Sequence, residues 1–318
     1  MRGFAARLAQ GGLSQAFRGL RAAHIVHRHA LQPRHPAHRT IPHVWPTSFK
    51  PCHDLAPADW LLPRLLPWGT DGALATNIIP VGYDAYVRVF HPAGAGPLDD
   101  PVTWQEVADW SGRVFHPLAQ FEKMSIPVTP NPGPPPFDSA PRLGRLVPSV
   151  CDVLVGELAK LTQTPSNCYF GIWDCGGIMT AGGSTMVRAF ANDDDESPDE
   201  QADFDAALAS WQNDVAGLPR FEHPDRTYLL GRGPIGMASE LDRHPLAPGS
   251  WQTLGLPPQI WWPEDRAWVV ASEIDFDSTL VATTIAGAEA LIACEGIEAL
   301  LVPSDGRLDF NGDDLNLS

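Results

Sequence analysis

The sequence predicts an α+β fold: a mixed, largely antiparallel sheet with packed helices in a single compact domain. Three observations carry that expectation. Strand-like and helix-like segments interleave, but without the long β-α-β units of a doubly wound parallel sheet. Several apolar strands stand close enough in sequence to pair as hairpins. No interior linker separates two apolar cores, and the proline-dense stretch over 125–141 is the one alternative cut.

The elements follow in chain order. Residues 57–68 mix Trp and Leu with Pro and read as a short, broken helix. Tyr83 to Phe90 alternates, is rich in aromatics and Val, and reads as a strand ending at His91-Pro92. Asp100-Pro101 opens a helix: an Asp cap, Pro in the first turn, apolar Val102, Trp104, Val107 and Trp110, and Gly112 at the end. Val150 to Leu161 is an amphipathic helix and Tyr169 to Trp173 a strand. A glycine-rich loop over 176–183 leads to a hairpin partner at Met186 to Phe190, and then to an acidic loop from Asp193. Phe204 to Val215 reads as a helix, Thr227 to Leu230 as a strand, and Ala267 to Ile274 as the most apolar strand. Ile285 to Ala293 is a helix and Ala299 to Val302 a strand.

Charge divides the chain. Residues 1–53 hold eight Arg and Lys, seven of the eleven His, and no Asp or Glu. The remaining residues carry 14 basic against 38 acidic side chains. The shift at Asp54 predicts a basic, disordered extension over 1–53, a globular domain over 54–303 and an acidic, solvated tail over 304–318. A net charge of -16 repels phosphate backbones, which argues against nucleic acid as a partner. No apolar run reaches the ~20 residues of a spanning helix, so no membrane partner is expected. The five cysteines form no Cys-x-x-Cys pair and no even framework, and they read as inert thiols of a reducing cytoplasm.

Three motifs bear on chemistry. Val269 to Ile274 followed by Asp275-Phe276-Asp277-Ser278-Thr279 resembles the first motif of haloacid-dehalogenase-type phosphatases. That resemblance implies Asp275 as nucleophile and Asp277 as acid/base, with magnesium offsetting charge. It covers about a dozen residues. Read on its own, an alternating strand puts Glu273, Asp275 and Asp277 on one face, where Arg266, His116 or a divalent metal would relieve their repulsion. Gly231-Arg232-Gly233-Pro234-Ile235-Gly236 spells a dinucleotide-type loop after a strand, but Pro245 stops the following helix early and no ribose-binding acid follows. Cys175 beside the glycine loop is a third candidate, a thiol with no local nucleophile signature.

Trp261-Trp262-Pro263-Glu264-Asp265-Arg266-Ala267-Trp268, running on to Thr279, is distinctive. Together with Gly82-Tyr83-Asp84-Ala85-Tyr86 and His116-Pro117-Leu118-Ala119-Gln120-Phe121, it resembles a group of uncharacterised proteins of the actinobacterial type. The resemblance spans most of 68–303 and implies no activity. Two adjacent Trp before a Pro put their rings on opposite sides of an extended chain, one toward the core and one toward a pocket or interface. Arg266 is able to stack on a Trp or clamp Asp275.

These features predict a soluble cytoplasmic protein that binds a small molecule or a protein. Trp261, Trp262, Arg266 and Trp173 are the expected contact residues, and no cofactor is required. The alternative is a divalent-metal-dependent hydrolase using Glu273, Asp275 and Asp277.

Overall fold

Strand alternation organises the molecule. In this computed structural model, residues 45–68, 72–96, 99–174, 209, 213–223, 226–244 and 255–317 are described. The strands are β1 (Lys50–Pro51), β2 (Ala85–Phe90), β3 (Ala93–Ala95), β4 (Asp100–Val102), β5 (Cys168–Trp173), β6 (Arg220–His223), β7 (Arg226–Gly233), β8 (Ile260–Pro263), β9 (Val269–Ser272), β10 (Ser278–Thr283) and β11 (Ala299–Leu301). One sheet runs β1-β7-β5-β8-β9-β10-β2-β11, with β6 also pairing β7, and β3 with β4 forms a separate ribbon. Every strand pair is antiparallel. The fold is therefore α+β, as the sequence predicts.

Both faces of the sheet are buried, which is why its strands are apolar at nearly every position. On one face Val87, Val89, Phe170, Leu229, Trp261, Val270 and Val281 meet Leu154 and Leu158 of one helix, Leu241 of another and Leu291 of a third. On the opposite face Tyr86, Tyr169, Tyr228, Leu230, Trp262, Val269 and Leu280 meet Ala58, Leu61, Leu65 and Ile78 from the chain before β2. The helices are α1 (Ala75–Ile78), α2 (Trp104–Ser111), α3 (Phe121–Met124), α4 (Pro148–Lys160), α5 (Met237–Arg243) and α6 (Ile285–Ile292). A third cluster gathers Phe90, Trp104, Phe121 and Met124 around α2 and α3.

Several sequence expectations are corrected. The fold does not begin at Asp54. Trp45 and Phe49 are buried in the helix-side core, and Lys50–Pro51 pairs with β7. The basic composition hides two large apolar side chains there. The Gly231-x-Gly233 motif is not a loop but the end of β7. A Cβ on Gly231 would lie 1.9 Å from the Phe49 ring, and one on Gly233 2.9 Å from the Ser48 carbonyl oxygen. These glycines admit the incoming chain, not a pyrophosphate. Gly231→Ala is expected to expel Phe49 and cost about 1–3 kcal/mol. Chemical denaturation checks it, and adding Phe49→Ala to Gly231→Ala should then cost less than Phe49→Ala costs alone.

Asp100-Pro101 lies in β4, and α2 starts later. Thr103 caps it, accepting from the Glu106 N–H while Glu106 accepts from the Thr103 N–H at 2.8 Å. Gly112 ends it in the left-handed region, φ 72°, as expected. The residues from 304 on are not a solvated tail. Leu308 is in the core, and Asp313 is fully buried, accepting from His116, Gln120 and Asn316. The expected Met186–Phe190 strand, the 193–196 loop, Cys175 and most of the Phe204–Val215 helix lie outside the described residues. So do residues 1–44 of the basic extension.

Candidate binding site

Trp60 follows the first turn of the segment that covers the sheet, and it sits edge-on to Trp262, 6.0 Å between centroids at 78°. Trp262 in turn stacks on Tyr169 across the β8–β5 pair, at 5.8 Å. Two cations reach the Trp60 indole. The guanidinium carbon of Arg266 lies 4.7 Å from the ring centroid and that of Arg64 5.6 Å. Both are within the range of an attractive cation–π contact. Their positive centres therefore lie within about 10 Å of each other, less than or near one screening length.

The chain holds this pair at some cost. Arg266 sits in the turn between β8 and β9 with φ 58°, a conformation costly for a β-carbon-bearing residue. Its carbonyl accepts from the Tyr83 hydroxyl at 2.9 Å, and its N–H donates to the Pro263 carbonyl. The neighbouring Asp265 is turned away. Its carboxylate accepts from Thr162, the Gln163 N–H and the Ala267 N–H. Burial pushes the Tyr83 hydroxyl above its ordinary range, against the opposing pull of Arg64 and Arg266, so it stays a neutral donor at neutral pH. Among the described residues neither Arg64 nor Arg266 pairs with an acid, and both are exposed. The Trp60 indole N–H is buried without an acceptor there.

Arg266 and Trp262 thus meet in one place, through Trp60. Trp261 does not join them. It points to the other face, stacked on Phe170 at 6.2 Å and edge-on to Trp268 at 5.1 Å. Both adjacent rings are core, because both faces of this sheet are covered. Trp262 is itself buried, so it supports the site and leaves the surface to Trp60. Trp173 is four residues beyond Tyr169 on β5, about 13 Å along the strand. Its N–H donates to Gln259.

The three acidic candidates are parted. β9 ends at Ser272, so Glu273 to Asp277 form the hairpin turn into β10 and do not alternate along a strand. Glu273 is buried and ion-paired with Arg226. Burial pushes its carboxyl up, while that arginine pulls it down. Asp275 lies 3.6 Å from the same arginine, its side chain 75 % exposed. Asp277 turns to the fully buried Arg88, at 3.2 Å. Among the described residues no group of three or more His, Cys, Asp or Glu side chains is placed to hold a metal ion.

Among the described residues a hollow of about 310 Å³ lies between Asp99, Ser139, Arg142 and the start of α4, where Asp99 and Arg142 pair with each other. A smaller one, about 30 Å³, lies between α4, α5 and the sheet. Beneath it Ser272, Thr279 and the buried His91 form a chain of hydrogen bonds, 2.7 and 2.9 Å long. His91 Nδ1 faces the Arg142 carbonyl at 2.6 Å, so Nδ1 carries the proton and Nε2 accepts from Thr279. The small hollow has room for little more than a water molecule.

No family model matches this chain, and no curated protein and no solved structure is similar to it. Sequence reasoning missed Trp60 and Arg64. Their four-residue spacing within the covering segment was the available signal, since that spacing stacks side chains on one side of a turn.

Proposed function

We propose that the protein is a cytoplasmic binding protein whose Arg64–Trp60–Arg266 surface takes an anionic group, a carboxylate or a phosphate, of a small molecule or a protein. One observation carries this reading: two guanidinium groups, unpaired with any acid among the described residues, converge on one indole in a chain of net charge -16. Arginine is suited to the role, because its planar fork donates two parallel hydrogen bonds to an oxyanion. The acidic remainder of the surface disfavours a long polyanion. The opposed reading, a metal-dependent hydrolase, requires Asp277 to leave Arg88 and Glu273 to leave Arg226 before the three acids share an ion.

Arg266→Gly separates binding from folding. The variant loses a guanidinium, and affinity for inorganic phosphate or acetate, read by isothermal titration, should fall about tenfold or more. Glycine also relieves the φ strain, worth about 1 kcal/mol, which offsets a lost cation–π contact of about 0.5–1 kcal/mol. Stability should therefore hold or rise. A variant that binds the anion as the natural chain does refutes the assignment.

A further inference from the structure

Resting on the reading above, we propose that the anionic ligand is an extended acidic peptide segment with two carboxylates about four residues apart, spanning from Arg64 and Arg266 to a second cationic node at Arg232 and Lys50.

The second node emerges from the strand register. Lys50 stands opposite Arg232, Arg232 opposite Tyr169, and Tyr169 opposite Trp262. Directly opposed residues share a face, so these four form one row across β1, β7, β5 and β8. Arg232 lies over the Tyr169 ring, its guanidinium carbon 5.9 Å from the centroid. Trp262 stacks on Tyr169 and carries Trp60, where Arg64 and Arg266 sit. The row thus reads cation, cation, aromatic, aromatic, and Trp60 on its Trp262 end adds the second pair of cations.

The distribution of ion pairs singles out the same residues. Among the described residues Arg88, Arg142, Arg145, Lys160, Arg220, Arg226, Arg243 and Arg307 pair with carboxylates. Arg113 and Lys123 donate to backbone carbonyls. The four that remain are Lys50, Arg64, Arg232 and Arg266, and all four are exposed. Arg232 Nε donates to the Asn167 side-chain oxygen, and the Asn167 amide donates to Glu264, so the nearest acid is held one residue away from it.

Spacing selects the ligand. Arg232 and Trp262 are two strand spacings apart, about 10 Å, and Trp60 with its cations lies beyond Trp262, so the two nodes are on the order of 10–20 Å apart. An extended peptide advances about 3.3 Å per residue, which puts carboxylates four residues apart at that distance and on one side of the chain. A nucleic acid backbone offers charge far more densely, about one per 1.7 Å in a duplex. Here the segment between the nodes is aromatic and uncharged, and Glu264 beside it repels a continuous polyanion.

The test uses the full chain and two five-residue peptides, one with glutamate at both ends and one with a single glutamate, with titration by fluorescence anisotropy. The two-glutamate peptide should bind roughly tenfold tighter or more, as linked contacts do. Arg232→Gln should reduce it to the level of the single-glutamate peptide and leave the latter unchanged, while Arg232→Lys retains part of the gain. Equal affinity for both peptides, with each lost in Arg266→Gln, overturns the second node but leaves the single anion site standing. Failure of both peptides, together with indifference of phosphate binding to Arg266→Gln, overturns both. An oligothymidylate that binds tighter than either peptide, through Arg232, overturns the peptide as occupant.

Discussion

Replacing Arg88 by alanine should lower the unfolding free energy by about 3–5 kcal/mol. Arg88 lies on β2 with no solvent exposure. Its Nε donates to Ser278 at 2.8 Å, and one terminal nitrogen donates to the carbonyls of Pro117 and Ala119 at 3.0 and 2.8 Å. The other donates to Asp277. The guanidinium plane lies 4.7 Å from the Phe90 centroid and 5.5 Å from that of Trp104. This one side chain ties the sheet to the loop before α3 and to the β9–β10 turn. Truncation strands two carbonyls and a half-buried carboxylate at once. Burial already pushes the Asp277 carboxyl up, with Arg88 opposing it, so removing Arg88 shifts it further up. Urea denaturation of Arg88→Ala reads the loss directly. A loss under about 1 kcal/mol would mean that these bonds contribute little.

The second large effect is acid lability through His91. Burial pushes its pKa from an ordinary 6.5 down to about 4, with nearby Arg88 acting in the same direction and the Arg142 carbonyl opposing. The geometry agrees, since the neutral ring satisfies both nitrogens. The sign follows from proton counting. Between pH 6.5 and about 4 the unfolded chain holds a proton on this histidine and the folded chain does not. Stability contributed by neutral His91 is therefore complete above 6.5 and falls by about 3 kcal/mol as pH drops through that window. The buried carboxyls of Glu273, Asp277 and Asp242 are shifted up and titrate in the opposite sense. The difference between the natural chain and His91→Asn isolates the histidine. His91→Asn should be less stable at pH 7 and should lack this part of the acid slope. Parallel stability–pH curves for the two proteins would refute the assignment.

The architecture was legible where periodicity was clean. β2, β5, α4 and α6 lie where alternation or helical spacing puts them, because each packs an unbroken apolar stripe into a core. β10 escaped notice because Ser278-Thr279 read as part of a catalytic motif, while Leu280 to Thr283 carried the strand. The acidic triplet was misread for a related reason. The apolar run suggests a strand to Ile274, but the chain turns after Ser272, and the turn leaves Glu273 and Asp275 beside Arg226 while Asp277 faces Arg88. The boundary at Asp54 followed charge, whereas the fold follows Trp45 and Phe49, and the room for the Phe49 ring comes from Gly231, 182 residues further on. Half of the proposed surface was visible. Arg266 stood out beside the Trp pair, but its partner ring is Trp60, and no local pattern announces a contact across 206 positions.

The most direct test of anion recognition is side-chain NMR of the arginine Nε–H groups in the full chain during titration with inorganic phosphate. The account predicts that the Arg64 and Arg266 signals move together and saturate, while buried Arg88 stays fixed. Movement of neither, or a non-saturating drift shared by every exposed arginine, would contradict it.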